Sequence, residues 1–474
     1  MDCCGTLDDK RNYDLAVIGA GSAGFSAAIT ASEEGAQVAL IGHGVIGGTC
    51  VNVGCVPSKN LIRAVETLHR SRAASHFAGL HAEAGITDWA ALISQKDELI
   101  ANLRQTKYVD LLPHYNGIAY VEGQARLSEG GVTVNGRLVK APKVIVAAGA
   151  RPSVPPIPGI EDIEFLTSTT ALDLTELPAS LLVVGGGFVG AELAQVFARA
   201  GVKVTIVCRS RLLPASEPEI AEALSRFLQD EGITLNCGVA YQFCRQTTNG
   251  VALCVRQGDR EEVIEAEKVL IATGRTPNTE GLGLPEAGIE THGNGGIQID
   301  DRMRTTRTGV YAAGDVTGRD QFVYMAAYGA KIAARNALDG DALVYDNKAM
   351  PAVVFTDPQV ASVGLTGVEA KKLGYEIKES VLPLNQVPRA IAARDTRGLI
   401  KLIAETNTDK LLGAHILAPE GADSIQTAAL AIKHGITTEE LGAMIFPYLT
   451  TVEGLKLAAQ GFHRDTAKLS CCAG

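Results

Sequence analysis

One structural unit is written twice in this chain, and that duplication restricts its fold more than any other feature. The first copy, "YDLAVIGAGSAGFSAAITASEEGAQVALIG", reads as an apolar strand, a glycine-rich turn, a helix and a second apolar strand, with Gly19, Gly21 and Gly24 at G-x-G-x-x-G spacing. The second, "ASLLVVGGGFVGAELAQVFARAGVKVTIV", repeats the pattern with Gly185, Gly187 and Gly190. Such glycines permit a tight turn and let the backbone approach a pyrophosphate at a helix N-terminus. Alone, the spacing is also that of a plain strand–helix turn; the complete βαβ setting favours a dinucleotide site. Each copy is closed by a similar strand and turn, "KVIVAAGARP" (143–152) and "KVLIATGRTPN" (268–278), bringing in Gly149 and Gly274. Two dinucleotides in one chain imply electron transfer between them, with a flavin as the usual partner of a nicotinamide. The expected class is α/β with two Rossmann-like dinucleotide-binding domains.

The chain's 474 residues predict two to four domains. A formal net charge of −10 argues against a nucleic-acid partner, because phosphate binding needs a basic face. The opening "MDCCGTLDDKRNYD" lacks the basic start and apolar run of a signal peptide. No stretch approaches the roughly 18 apolar residues of a membrane span. The expected compartment is the cytosol, where ten cysteines would mostly be reduced, so that paired ones point to catalysis or metal binding. Cys208, Cys237, Cys244 and Cys254 lie in apolar or strand-like contexts and read as ordinary buried thiols.

The ends of the second strands assign the cofactors. A carboxylate there binds a ribose 2′-hydroxyl, whereas arginines favour a 2′-phosphate. The second unit ends "VTIVCRSR", with no acid and with Arg209 and Arg211, so NADPH fits it better than NADH; plain solvated arginines are the alternative. The first unit ends "AQVALIGHG", with Gly42 and His43 where an acid is expected, and His43 is only a weak substitute.

Between the units lies "GGTCVNVGCVPSK" (47–59), in which Cys50 and Cys55 are followed by Pro57 and Lys59. A short loop entering a helix can hold two sulfurs close, and the helix N-terminus with a nearby lysine favours the thiolate. Two unpaired thiols or half of a zinc site are the alternatives; zinc needs about four ligands, and no second pair lies at suitable spacing.

From about Tyr13 onward the sequence resembles the flavin disulfide reductase family, which includes glutathione reductase, lipoamide dehydrogenase and mercuric reductase. "GVYAAGDVTG" (309–318) is similar to its second flavin motif, which implies that Asp315 binds the ribityl chain of FAD. The resemblance also implies that Gly48, Thr49, Gly149 and Gly274 lie along the cofactors, that Cys55 faces the flavin with Cys50 as the outer sulfur, and that Lys59 pairs with Glu192 beside the flavin. On an exposed surface such a pair would contribute little.

Dithiol-exchanging members carry a His-Pro-Thr-x-x-Glu segment near the C-terminus. The matching stretch here is "YLTTVE" (448–453), which keeps Glu453 but has Tyr448 in place of the histidine. A phenol with a pKa near 10 is a poor general base at neutral pH, which argues against glutathione or lipoamide as substrate. The chain instead ends "KLSCCAG", adding Cys471 and Cys472, and soft thiolates select soft metals.

The mercuric reductase branch is the one most similar. It implies NADPH- and FAD-dependent reduction of Hg(II), with Cys471 and Cys472 of one subunit passing the ion from small thiol adducts to Cys50 and Cys55 of the other. Tyr108, in "KYVDLL", and Tyr448 would line the route; without the resemblance Tyr108 reads equally as a plain surface or core aromatic. The implied architecture is an FAD domain at 1–150 and 275–345, an NADPH domain at 151–274, and a mixed α/β dimerisation domain at 346–474. The last requires a homodimer with shared active sites. The small N-terminal metal-binding domain of many relatives is not expected, since only "MDCCGTLDDKR" precedes the first strand. Cys3 and Cys4 are either an auxiliary mercury-catching pair or without a role. The rival function is a thioredoxin-reductase-like enzyme that acts on a protein disulfide; a non-catalytic metal-sequestering protein is disfavoured by the intact cofactor motifs.

Overall fold

The computed structural model describes residues 12–464, so Cys3, Cys4, Cys471 and Cys472 lie outside the described residues. The chain divides into two compact units. One takes the residues up to Ser58, Ala90–Ser153 and Gly274–Asp346; the other takes Lys59–Trp89, Val154–Thr273 and the residues from Asn347 on.

The first unit is built on a five-stranded parallel sheet, in the order Val310–Ala312, Lys143–Val146, Leu15–Ile18, Val38–Gly42, Ile118–Glu122. Leu15–Ile18 is buried along its whole length, as a strand covered on both faces must be. Chain order reverses between Leu15–Ile18 and Lys143–Val146, and in open α/β sheets ligands bind outside the carboxyl ends of strands at that switch. The helices Ser22–Glu33 and Val323–Asp339 pack together, with the Ser26 hydroxyl donating to the Ala327 carbonyl at 3.0 Å. A small antiparallel sheet, Ala125–Ser128, Gly131–Val134 and Arg137–Lys140, closes the core with Leu127, Val132 and Val139.

The second unit contains a four-stranded parallel sheet, in the order Thr234–Cys237, Lys203–Cys208, Ser180–Val184, Lys268–Ile271, with the same kind of switch beside Ser180–Val184. Both glycine repeats are thus the first turns of parallel α/β sheets. The unit also contains a five-stranded antiparallel sheet between Pro351 and Ala418, backed by helices Gly421–Lys433 and Glu453–Gln460 around Ile400, Ile416, Ala428 and Leu455. A buried charge network joins these parts: Arg199 reaches Glu231 at 2.7 Å and Asp357 at 2.9 Å, and Arg397 reaches Asp357 at 3.2 Å and Asp395 at 2.7 Å.

Candidate active site

The first glycine turn has a backbone-lined cradle. Gly19 has φ +119°, and a Cβ there would lie 2.1 Å from the Ala147 carbonyl oxygen; one on Gly24 would lie 1.7 Å from that of Gly19. Helix Ser22–Glu33 starts at Gly21 with no side-chain cap, leaving its first N–H groups for an anion. The second turn is alike: Gly185 has φ +121°, helix Phe188–Arg199 starts at Gly187 with no side-chain cap, and a Cβ on Gly187 would meet nothing within 4 Å. Both turns fit a dinucleotide pyrophosphate.

Gly42 has a steric reason. A Cβ there would lie 2.5 Å from the Tyr120 hydroxyl and 2.8 Å from Ala20 Cβ, so the phenol of the adjacent strand occupies the space an acid would need. His43 lies beyond, on an open groove of about 500 Å³ shared with Glu122, Gly123, Gln124 and Asn135. Tyr120 gave no local signal in the sequence, because only strand pairing brings it against residue 42.

The cysteine segment is held against the first glycine turn. The Gly47 N–H donates to the Ala20 carbonyl at 2.9 Å, and Gly48, at φ +67°, lies so close that a Cβ on it would be 2.6 Å from Gly21 Cα. Cys50 is in the short helix Gly48–Val53 and Cys55 begins the helix Cys55–Ala73, with Gly54 between them. Asn52 Nδ2 donates to the Ile46 and Gly48 carbonyls, each at 2.9 Å, and its oxygen accepts from Arg104 at 3.1 Å. Both cysteines are half-buried.

Tyr108 lies in a π-helical turn, Gln105–Val109, that continues helix Trp89–Arg104; such turns are frequent at functional sites. Its ring stands edge-on to Phe25, with centroids 4.9 Å apart, and its hydroxyl is hydrogen-bonded to Ser22. The Tyr108 ring lies against the cysteine segment, its Cδ2 3.4 Å from where a Cβ on Gly47 would be; burial pushes its phenol above its ordinary pKa, and the charges of Cys50 and Cys55 add to that. Tyr324, at the start of helix Val323–Asp339, is raised by burial, with the charges of Asp320 and Cys55 adding to it, and its ring stacks on Phe322 with centroids 5.4 Å apart.

Asp315 is raised by burial, with Arg275 at 3.5 Å holding it back; Arg275 also reaches Thr49 at 3.4 Å and the Ala150 carbonyl. Gly149, at φ +71°, and Asp315 follow the adjacent strands Lys143–Val146 and Val310–Ala312, so both fall at the switch end of the first sheet. Gly274, at φ +118°, follows strand Lys268–Ile271 and carries its carbonyl to the Ser153 N–H at 2.9 Å.

In the second unit Lys59 Nζ lies 2.7 Å from Glu192 Oε2, and Glu192 is almost fully buried, so this pair differs from the exposed kind considered above. The other carboxylate oxygen accepts the Phe355 N–H at 2.8 Å. Arg209 is exposed, while Arg211 donates to the Pro214 and Ser216 carbonyls of its own loop. Tyr448 is exposed in an apolar run with Met444, Ile445 and Leu449, and Glu453 accepts the Leu449 N–H at 3.1 Å. Cys208 and Cys237 depart from the ordinary-thiol reading: Cys237 is half-buried and the two sulfurs are 2.9 Å apart. Two cysteines ending neighbouring apolar strands, "VTIVC" and "TLNC", were the signal for it.

Residues 13–333 match the pyridine nucleotide-disulphide oxidoreductase family, and residues 350–459 match the dimerisation domain of pyridine nucleotide-disulphide oxidoreductases. The chain is 47% identical to a mercuric reductase of Lysinibacillus sphaericus, over 99% of its own length and 86% of the relative's. It is 45% identical to one of Streptomyces lividans, over 99% and 100%. Among solved structures it is similar to the HOCl-induced flavoprotein disulfide reductase RclA from Escherichia coli, with TM-score 0.83, 31% identity, and 94% and 99% of the two chains covered. LpdA from Mycobacterium tuberculosis is similar too, with TM-score 0.84, 28% identity, and 95% and 100% covered.

Proposed function

The chain belongs to the pyridine nucleotide-disulphide oxidoreductase family, in its mercuric reductase branch, and from that premise we propose that it reduces Hg(II) to Hg(0) with electrons from NADPH, through FAD and the Cys50/Cys55 pair. The observation that carries this reading is the grouping of the Cys50–Cys55 segment and the Tyr108 ring against the first glycine turn and its helix. FAD would be held by Gly19, Gly21, Gly24, Gly48, Thr49, Gly149 and Asp315, with the Tyr120 hydroxyl in the place of the usual acid. NADPH would be held by Gly185, Gly187, Gly190 and Gly274, with Arg209 facing the 2′-phosphate and Arg211 shaping its loop. When bound, NADPH would supply a hydride and FAD would relay its two electrons, first to open the Cys50–Cys55 disulfide and then to the Hg(II) that the resulting thiolates hold.

The chain's own residues do the rest. Cys471 and Cys472 of the partner subunit take Hg(II) from small thiol adducts and hand it to Cys50 and then Cys55. Each new thiolate attaches before the old one leaves, so no free ion is released. Tyr108 and Tyr448 line this route, with the Tyr108 hydroxyl as a neutral donor and weak oxygen ligand. Glu192 fixes the Lys59 ammonium one helical turn beyond Cys55, a positive charge that would favour the thiolate form of that cysteine. The dimerisation domain supports a homodimer as the working form. No helix among the described residues is long and apolar enough to cross a membrane, and we assign the enzyme to the cytoplasm, where thiol adducts of Hg(II) form.

The test is NADPH oxidation by the purified enzyme, driven by Hg(II) in excess small thiol, in the wild type and in Cys471→Ala/Cys472→Ala. The reading requires Hg(II)-dependent turnover that falls in the double variant. Turnover with a disulfide protein and none with Hg(II) would establish the thioredoxin-reductase-like alternative.

A further inference from the structure

Cys208 and Cys237 take no part in the Cys50/Cys55 chemistry, and Cys208 lies against the second glycine turn. They end the adjacent parallel strands Lys203–Cys208 and Thr234–Cys237 and are direct partners in register. Paired strands run about 4.8 Å apart. That lies inside the range of roughly 4.4–6.8 Å between the Cα atoms of a disulfide, so the strand spacing is compatible with a bond. The sulfurs are already 2.9 Å apart, with Cys208 buried at 4% exposure and Cys237 half-buried.

The pair is built into the loop that carries Arg209 and Arg211. The Leu212 N–H donates to Cys237 Sγ, and the Gly238 N–H donates to the Ser210 carbonyl at 2.7 Å. Cys208 Sγ lies beneath the second glycine turn, 3.2 Å from where a Cβ on Gly186 would be. The Gly186 carbonyl accepts the Leu213 N–H at 2.7 Å, which fastens the glycine turn to the arginine loop.

We propose that Cys208 and Cys237 form a second, reversible dithiol–disulfide site that weakens nicotinamide binding when oxidised. Cys237 is the attacking sulfur. The hydrogen bond from Cys208 lowers the Cys237 thiol against the opposing effect of burial, with help from the Leu212 N–H, while the same bond and burial raise Cys208. The oxidant is a small disulfide, RSSR. The Cys237 thiolate attacks one sulfur of RSSR, the S–S bond breaks, and RS⁻ leaves. Cys208 then loses its proton to solvent and attacks Cys237 Sγ, expelling the second RS⁻. The two cysteines give up two electrons to become cystine, and RSSR takes them up as two thiols; excess thiol runs the exchange backwards. Oxidation removes the thiolate that accepts the Leu212 N–H, so the arginine loop loses an anchor directly below the cofactor turn.

The consequence for NADPH rests on the reading of Arg209 as its phosphate contact; formation of the bond does not. The test treats the FAD-loaded enzyme with oxidised glutathione in thiol-free buffer. Peptide mass mapping follows the 208–237 link, and calorimetry measures NADP⁺ affinity. The expected result is a linked peptide with about tenfold weaker NADP⁺ binding, reversed by a phosphine reductant. Cys237→Ser, whose hydroxyl can still accept the Leu212 N–H but which cannot form the link, should show the same NADP⁺ affinity with and without the oxidant. Absence of the linked peptide under saturating oxidant overturns the site, and a link that leaves NADP⁺ affinity unchanged overturns the control. Should Arg209→Ala bind NADP⁺ as tightly as the wild type, the arginine reading fails separately, because the link is read by mass alone.

Discussion

Lys59 Nζ and Glu192 Oε2 meet at 2.7 Å, 133 residues apart in sequence, with the other oxygen of the same carboxylate tied to the Phe355 N–H. The carboxylate is buried and the lysine is about one-third exposed, so only one partner is deeply desolvated. Lys59 also lies over the Phe355 ring, 4.8 Å from its centroid.

Lys59→Met strands a buried carboxylate with a single hydrogen bond. The expected loss is about 2 kcal/mol, below the full cost of breaking a deeply buried pair because water reaches the lysine. Glu192→Gln keeps an acceptor for Phe355 and should cost less. Denaturant titration of the FAD-loaded protein reads both, and equal midpoints for Lys59→Met and wild type would contradict the assignment.

Tyr108→Phe removes one hydroxyl while the ring keeps its place against Phe25. A lost hydrogen-bonding contact of about 1.4 kcal/mol predicts roughly tenfold slower Hg(II) turnover. Reduction of the flavin by NADPH should be unaffected. Stopped-flow measurement separates the two steps, and a loss confined to flavin reduction would place Tyr108 elsewhere in the cycle.

Arg209→Ala should raise the KM for NADPH about tenfold, with little change for NADH and none in stability, since its side chain is exposed. Arg211→Ala should also lower stability, because its guanidinium holds the Pro214 and Ser216 carbonyls. Steady-state kinetics with both nucleotides, alongside thermal melts, distinguishes them. An Arg209→Ala enzyme with unchanged nucleotide preference would remove the phosphate assignment.

Asp409 gives the fold an acid-sensitive point. Burial works to raise its carboxyl, but hydrogen bonds from Lys378 and Thr438 and from the Glu439 N–H outweigh it and hold the pKa at about 2. A depressed folded-state pKa contributes stability above the unfolded value near 3.9 and loses it as pH falls toward 2. Solvent screens this largely accessible carboxylate, so the expected loss across that window is about 1 kcal/mol, and Asp409→Asn should flatten it. Parallel slopes for variant and wild type in acid denaturation would contradict this.

What the sequence made legible was backbone chemistry. Gly19 and Gly185 need positive φ, and Gly24 and Gly190 need room for a passing carbonyl, so their positions are fixed by conditions that no other residue meets. Cys50, Cys55 and Lys59 were legible because a single short segment carries them. Contacts between distant segments were not. Tyr120 fills the space beside Gly42 because two strands pair in parallel, and Cys237 reaches Cys208 for the same reason. The network of Arg199, Glu231, Asp357 and Arg397 draws on separate stretches, none with a local pattern. Lys59 and Glu192 were paired only through the family resemblance.

The central claim is that electrons from NADPH end on mercury. Elemental mercury purged from a sealed reaction with excess small thiol, measured against NADPH consumed, tests it directly. One Hg(0) should be released per NADPH consumed, and none in Cys55→Ala. NADPH consumption with all the mercury retained in solution would contradict it.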